Sequence, residues 1–242
     1  MNETTHPVPL FAVDAAWPSL PDNWLLGQVP GLSVDASNNV WIAQRPASVP
    51  RLSLGLENRS AICCERAPEV IKFSPDGKIL AAWGGESLAP DIEGVNQWPD
   101  NIHGIYADDS DGSVWIAGNG SGDHVILNFT PEGKFIRSFG RRNATAGNSS
   151  HVTLGNPADI SRDGDDILVA DGYVNSRIVR LNDADLSIQQ IIGAWGESPG
   201  SDTREGDFDS SMATANSENT ATDAPHFGDI VHCVETASDG RV

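Results

Sequence analysis

The feature that most constrains the fold is an internal repeat of paired short strands. Four segments align as one unit: a short apolar strand, an Asp/Asn/Gly turn and a second strand. They are PGLSVDASNNVWIAQR from Pro30, HGIYADDSDGSVWIAGNG from His103, ADISRDGDDILVADGY from Ala158 and HCVETASDGRV from His232. Apolar residues alternate within these runs, which predicts half-buried β-strands.

Each of the first three units is followed by a second pair of strands. VIKFSPDGKILAAWGG, VILNFTPEGKFIRSFG and RIVRLNDADLSIQQIIGAWG supply these pairs, and SPDGK and TPEGK are typical hairpin turns. Trp83, Phe139 and Trp195 close the units at regular intervals. Four-stranded units in series, each needing a neighbour to cover its apolar faces, favour a β-propeller over a sandwich.

The repeat predicts an all-β domain organisation. Residues 1–27 form an N-terminal segment that leads into a partial β-propeller over residues 28–242. Blades are expected at about 28–86, 102–140, 157–196 and 230–242, which amounts to three blades and the start of a fourth. The Ser/Thr/Asp/Asn-rich stretch 197–225 has almost no aromatic residues and is predicted to be a disordered loop.

The fourth unit stops at DGRV, before most of its second strand. We therefore expect this sequence to be a C-terminally truncated part of a larger propeller. Because propellers generally close with at least four blades, the repeat predicts exposed strand edges and exposed apolar blade faces.

Composition excludes some classes of partner. The formal net charge is −19 and the few Lys and Arg residues are scattered, so the sequence offers no basic stripe for nucleic acid. It shows no signal-peptide pattern and no run of about 18 apolar residues, so we expect a soluble chain without a membrane partner. The three cysteines do not make a disulfide framework for a chain of this length.

The start of each unit identifies candidate metal ligands. First strands are the innermost strands of propeller blades, so Pro30, His103, Ala158 and His232 share one column around the axis. Imidazoles brought together in this way are typical of half a zinc site. For either histidine alone, a hydrogen bond to a neighbouring carbonyl is the simpler interpretation; the shared column favours a ligand role. The other histidines lack such a partner and are interpreted as surface residues: His6, His124, His151 and His226.

A second column follows the second strand of each unit. Tyr173 stands there in the third unit, and Arg45 and Asn119 match it in the first and second. Loops at this end line the channel mouth, where a tyrosine near a metal can act as a base and an arginine can hold a carboxylate or oxyanion. The alternative carries equal weight: Tyr173 packs over a hairpin, and Arg45 and Arg177 pair with carboxylates of the blades.

These residues resemble the lyase domain of peptidylglycine α-amidating enzymes, a six-bladed propeller of the NHL-repeat class. GQVPGLSVDASNNVWIAQRP resembles that family's first blade and places Arg45 at its functional arginine. IHGIYAD places His103 at the first zinc histidine, and DGYVNSRIV places Tyr173 at the active-site tyrosine. VHCVETASDG is a looser match that places His232 at the next zinc histidine.

The resemblance also implies a structural calcium, and it has departures. Leu32 and Ile105 match positions whose backbone carbonyls bind that calcium. The family's third zinc histidine and its calcium aspartate belong to a final blade that is not in this sequence. Val174 stands where the family has a disulfide cysteine, and Gln44 stands where it commonly has a histidine. The general layout is closer to bacterial NHL-repeat proteins of unassigned activity.

The resemblance implies a metal-dependent lyase that cleaves a peptidyl-α-hydroxyglycine, or a similar hydroxylated amide, into an amide and glyoxylate. Zinc on His103 and His232 would bind the substrate hydroxyl, Tyr173 would take its proton and Arg45 would hold its carboxylate. The substrate would be a small molecule or a peptide. Two alternatives stay open: a non-catalytic NHL-repeat module that binds peptides or proteins, and a gluconolactonase-like hydrolase. The latter uses Glu, Asn and Asp at the axis, where this column holds His and Pro.

Overall fold

The computed structural model describes residues 10–54, 63–193, 227, 230–237 and 239–242. The loop predicted to be disordered, and Trp195 before it, lie outside these residues. In the described parts, regular structure is almost entirely β-strand, arranged as three four-stranded antiparallel sheets and two short strand pairs. The all-β class predicted from the repeat is therefore confirmed.

The strands follow the predicted units in chain order. They are β1 (Trp24–Leu25), β2 (Gln28–Val34), β3 (Val40–Arg45), β4 (Glu65–Arg66), β5 (Val70–Phe73), β6 (Ile79–Trp83), β7 (Asp91–Ile92), β8 (Val95–Asn96), β9 (Ile102–Ala107), β10 (Val114–Gly118), β11 (Val125–Phe129), β12 (Phe135–Gly140), β13 (Asp159–Asp163), β14 (Asp166–Asp171), β15 (Arg177–Asn182) and β16 (Ile188–Ile192). Short 3-10 helices cover Pro46–Ser48, Arg51–Leu54 and Glu86–Leu88. No helix among the described residues is long and apolar enough to cross a membrane.

Each four-stranded sheet is a meander, and we call the three sheets the first, second and third blade. Their strand orders are β2-β3-β5-β6, β9-β10-β11-β12 and β13-β14-β15-β16. The first strands β2, β9 and β13 contact one another in sequence order, which makes them the inner strands. This serial stacking is the arrangement of propeller blades.

Apolar side chains join each blade to the next. Trp41 of the first blade and Phe129 of the second belong to one buried cluster, and Trp115 and Val169 join the second blade to the third in another. Burying a side chain of this size stabilises a fold by roughly 1.5–3 kcal/mol. Each blade therefore depends on its neighbour for a large part of its core.

The N-terminal segment covers the other apolar face of the first blade. Trp17, Leu20 and Trp24 pack against the buried cluster that contains Ile71 and Phe73. β1 also pairs in parallel with β4 at this edge. The predicted exposure of apolar blade faces therefore does not extend to this face, because the N-terminal segment covers it.

Exposed apolar side chains remain on the inner strand of the first blade. The exposed fractions of Val29, Leu32 and Val34 are 45%, 66% and 51%. Ile136 on the outer strand of the second blade is also exposed, so part of the apolar exposure predicted from the repeat is present.

Two glycines allow the inner strands to approach closely. A Cβ atom added at Gly31 would lie 2.5 Å from the carbonyl oxygen of His103, and one at Gly104 would lie 2.6 Å from that of Ala158. Both glycines follow the axial column residue of their own blade and touch the column residue of the next. Only a residue without a side chain fits at these two positions.

The fourth unit begins without regular strands in its described residues. Val231 and Val234 are buried against the third blade, and the Val234 amide donates to the Asp159 carboxylate at 3.2 Å. The Ala237 amide donates to the Arg241 carbonyl at 2.7 Å, which forms the predicted turn. A strand requires a backbone ladder, and this segment is attached to the third blade by side chains.

Cys63 and Cys64 form a disulfide between adjacent residues. This bond spans no loop, so it adds no connection between elements of the fold. The sequence prediction that the cysteines make no disulfide framework is consistent with it.

Candidate functional site

Three of the predicted site residues, His103, Tyr173 and His232, meet beside the inner strands of the second and third blades. The Tyr173 hydroxyl lies 2.8 Å from Nε2 of His103 and 3.2 Å from Nε2 of His232. The two imidazole ring centres are 4.8 Å apart. The convergence that the shared column predicts is therefore present, and the tyrosine hydroxyl stands between the two rings.

His103 is held in one orientation by the next blade. Its Nδ1 atom lies 3.0 Å from the carbonyl oxygen of Ala158, an acceptor only, so Nδ1 carries the proton and Nε2 keeps its lone pair. Burial, together with the nearby charges of His232 and Arg45, lowers the pKa of His103 to about 4. The ring is thus neutral at physiological pH, and its Nε2 can accept the tyrosine proton or bind a metal.

Arg45 reaches the cluster from the end of β3. In that strand Trp41 and Ala43 face the second blade, and alternation directs Arg45 to the same side. Its Nε donates to the Ile102 carbonyl at 2.9 Å and its Nη2 donates to Oδ1 of Asn119 at 3.1 Å. The guanidinium is therefore fixed beside the inner strand of the second blade.

Asn119 connects Arg45 to Tyr173. Its Oδ1 accepts hydrogen bonds from Arg45 and, at 2.7 Å, from Asn101, while its side chain also bonds to Tyr173. Burial raises the pKa of Tyr173, and the Asn119 hydrogen bond and the Arg45 charge oppose this rise. Arg45, Asn119 and Tyr173, which share one repeat position, thus form a single polar chain across three blades.

A buried ion pair holds the loop that carries Tyr173. Asp171, at the end of β14, accepts from the Gly155 amide at 2.6 Å and from Asn175 and Arg177, each at 2.8 Å. Asp171 and Arg177 are both fully buried. Arg177 also donates to the carbonyls of Asn148, Ser150 and Thr153. This pair, which we call the Asp171–Arg177 anchor, fixes both ends of the turn around Tyr173.

A cavity of about 220 Å³ runs along the inner strands beside the histidines. Leu32 and Ile105, the predicted calcium residues, both line it, and so do Asp159 and Glu235. Burial raises the pKa of Asp159, against the effect of hydrogen bonds and of nearby His232. The calcium assignment stays a prediction, since the carbonyl positions alone do not define a binding site.

The imidazoles offer two nitrogen donors, of the type that zinc prefers. A catalytic zinc typically has three protein ligands, and the described residues contain no group of three or more His, Cys, Asp and Glu side chains that could hold a metal. The neutral His103 ring keeps a lone pair at Nε2 for such a role. The zinc assignment of His103 and His232 stays a prediction, and it requires a third ligand from elsewhere.

The sequence assigns no role to Asn119, which the structure places between Arg45 and Tyr173. Its repeat position, shared with those two residues, is the signal that indicates this place. Gln44, at the position of a family histidine, faces away from the site: its Nε2 donates to the Ala67 carbonyl at 2.6 Å and its Oε1 accepts from the Gly27 amide. His124 is buried rather than on the surface, and its Nδ1 accepts from the Asn156 amide at 3.1 Å. His6 and His226 lie outside the described residues.

Relatives of this chain carry NHL repeats. The human NHL repeat-containing protein 3 is 26% identical over 198 residues, which cover 78% of this chain and 48% of the human protein. The mouse protein of the same name is 27% identical over 199 residues, which cover 79% and 48%. This chain is similar to NHL repeat-containing proteins. It spans about half the length of the relatives that it matches, and no family model matches it.

Solved structures add little to this likeness. A protein of unknown function from Bacteroides thetaiotaomicron is 11% identical with a TM-score of 0.44, covering 73% of this chain and 40% of that one. A PQQ-bound aldose sugar dehydrogenase from Streptomyces coelicolor is 14% identical with a TM-score of 0.36, covering 69% and 50%. At these scores the likeness carries no argument about function. The NHL-type propeller rests on the three described blades and the two curated relatives.

Proposed function

We propose that this chain belongs to a metal-dependent lyase that acts on a hydroxylated amide such as a peptidyl-α-hydroxyglycine. The observation that carries the proposal is the Tyr173 hydroxyl between the Nε2 atoms of His103 and His232. A tyrosine that only packed over a hairpin would not need two imidazoles at its hydroxyl. Arg45, joined to the same tyrosine through Asn119, adds a fixed positive charge.

His103 and His232 would hold the metal, with a third ligand supplied from outside the described residues. A zinc ion held there would polarise the oxygen of the substrate hydroxyl as a Lewis acid. The hydrogen bond from His103 Nδ1 to Ala158 keeps the ligand nitrogen facing the tyrosine. This second contact is typical of histidines that bind metals.

The other groups of this chain would then perform proton transfer and orientation. Tyr173, as the phenolate, would take the proton of the substrate hydroxyl, and the carbon–oxygen bond would become the aldehyde of glyoxylate as the carbon–nitrogen bond breaks. The released nitrogen takes up a proton and leaves as the amide. Arg45 would hold the substrate carboxylate through charge-assisted hydrogen bonds. A hydrogen bond donated by the Asn119 amide to the phenolate oxygen would stabilise that charged form.

The principal rival is a propeller that binds a peptide at this face without reaction. The same arginine could hold a carboxylate in that case, and the histidines would serve as hydrogen-bond partners of the tyrosine. The two readings differ in metal content and in the effect of removing the tyrosine hydroxyl.

The test is metal content together with turnover. We expect about one zinc ion per chain by plasma emission spectrometry, lost in His103→Ala and His232→Ala and retained in His151→Ala, an exposed histidine that serves as matched control. Glyoxylate release from an N-acyl-α-hydroxyglycine should fall about 10²- to 10⁴-fold in Tyr173→Phe, which removes only the hydroxyl. A wild-type chain that binds no zinc and releases no glyoxylate would leave the binding module as the better description.

A further inference from the structure

A second cavity opens beside Arg45 at the same end of the blades. Its volume is about 440 Å³, and it lies between the first and second blade. This size is within the range of roughly 300–1,000 Å³ that small-ligand sites occupy. Ile102 lines this cavity and the adjacent His103 lines the axial one, so the two cavities are bordered by consecutive residues at the start of β9.

Arg45 lines the second cavity and also belongs to the polar chain that reaches Tyr173 through Asn119. An arginine has five N–H donors, and three of them are directed at Ile102, Asn119 and, at 3.4 Å, Gln28. Two N–H groups therefore have no acceptor among the described residues. A carboxylate bound by these donors would stand between the Tyr173 cluster and the second cavity, which provides space for the rest of the molecule that carries it.

The second cavity is lined by three acids, Glu69, Glu86 and Asp100. Glu69 stands just before β5, and burial raises the pKa of its carboxyl. Its carboxylate has no ion-pair partner in the part of the chain that the structure describes. By contrast, Asp100 in the same cavity pairs with Arg142, and Arg66 donates to the Val49 carbonyl at 3.1 Å.

Apolar groups form part of the wall of the second cavity, beside polar residues such as Gln28 and Asn101. Trp98 is buried, with 5% of its surface exposed, and Pro46 and Pro99 flank it. Apolar surface beside the half-buried Glu69 carboxylate, with exposed Glu86 on the same cavity, matches the long side chain of lysine or arginine. The methylene stem of such a side chain packs on apolar surface while its charged end meets an acid.

We propose that the second cavity binds the residue that precedes the reacting glycine of a peptide substrate, and that Glu69 selects a cationic side chain there. The proposal rests on the proposed function for the identity of the reacting group, but the binding can be measured without any reaction. It assigns the substrate class: peptides with lysine or arginine before the terminal glycine unit.

The test is calorimetric titration of the chain with three unreactive peptides: N-acetyl-Lys-Gly, N-acetyl-norleucine-Gly and N-acetyl-Glu-Gly. We expect the lysine peptide to bind about tenfold more tightly than the norleucine peptide, and the glutamate peptide to bind most weakly. In Glu69→Gln the preference for lysine should disappear. Glu132→Gln, an exposed acid in the turn at the opposite end of the second blade, should keep it.

Equal affinities for the three peptides in the wild type would overturn the proposal without any variant, and so would a lysine preference that survives in Glu69→Gln. Cleavage of the corresponding α-hydroxyglycine peptides separates the two claims. Cleavage with no side-chain preference would leave the lyase standing and remove the subsite. Charge-selective binding with no cleavage would keep the cavity as a peptide site and remove the lyase.

Discussion

Two arginines, one in the first blade and one in the third, have opposite surroundings. Arg177 is fully buried, and its guanidinium is directed at Asp171 and at three backbone carbonyls. Arg45 is partly exposed and has no carboxylate partner among the described residues. Two of its N–H donors have no acceptor in that part of the chain. Arg177 therefore has a structural role, whereas Arg45 has hydrogen-bond donors available for a ligand.

The comparison teaches how the site is built. A buried charge is costly unless it is paired, so the Asp171–Arg177 anchor permits essentially one geometry for the turn that it closes. Tyr173 lies within that turn, so the anchor also fixes the position of Tyr173. The open polar chain of Arg45, Asn119 and Tyr173 can then present donors to a ligand without having to hold the loop in place.

The largest effect on stability is expected from removal of the buried arginine. Arg177→Ala leaves Asp171 buried and unpaired, so we expect the free energy of unfolding to fall by about 3–5 kcal/mol. Urea denaturation followed by tryptophan fluorescence measures this loss. A loss below about 1 kcal/mol would mean that the anchor is not the rigid element described above.

A smaller effect is expected at the ion pair that joins the second blade to the third. Arg162 donates to both carboxylate oxygens of Asp108 and also pairs with Asp183. Burial opposes ionisation of Asp108, but the hydrogen bonds from Arg162 and Ser110 outweigh it and the pKa lies below its ordinary 3.8. The stabilisation is therefore complete above that pH and is lost as the pH falls through the lowered pKa.

The variant Asp108→Asn should lower the free energy of unfolding at neutral pH by about 1–3 kcal/mol and should flatten its decline below pH 3.8. Exposed Asp22, replaced by Asn, is the matched control. An unchanged acid limb in Asp108→Asn would assign the decline to other carboxylates.

The smallest effect on stability is expected at the open arginine. Arg45→Gln should change the free energy of unfolding by less than about 1 kcal/mol. Glyoxylate formation should nevertheless fall about 10- to 100-fold, because charge-assisted hydrogen bonds contribute about 1.5–3 kcal/mol. If stability fell as far as in Arg177→Ala, the two arginines would have the same structural role.

The sequence predicts most of what depends on the repeat, although the fourth unit has no regular strand in its described residues. Alternation and turn residues predicted the strands, and the shared columns predicted that His103 meets His232. They also predict that Arg45, Asn119 and Tyr173 occupy equivalent positions in adjacent blades. A repeat position is a statement about geometry, because equivalent residues of adjacent blades lie side by side.

Contacts outside the repeat could not be found in the same way. The anchor joins Asp171 to a loop between two blades, and the cover of the first blade comes from Trp17 and Leu20 in the segment before it. Both depend on how irregular backbone returns to the sheets, for which the sequence has no periodic signal. The burial of His124 was missed for the same reason.

The inner strands show a graded joint between blades. At the position after each column residue the chain has Gly31, then Gly104, then Asp159. At the first two joints main chain lies against main chain at the glycine, so a side chain added there would separate the inner strands. At the third, a carboxylate occupies the place of a hydrogen atom and is bonded to the Val234 amide. The inner strands therefore accept a side chain at the joint beside His232 and exclude one at the other two joints. Substitutions at Asp159 could change the cavity beside His232 without separating the first three blades.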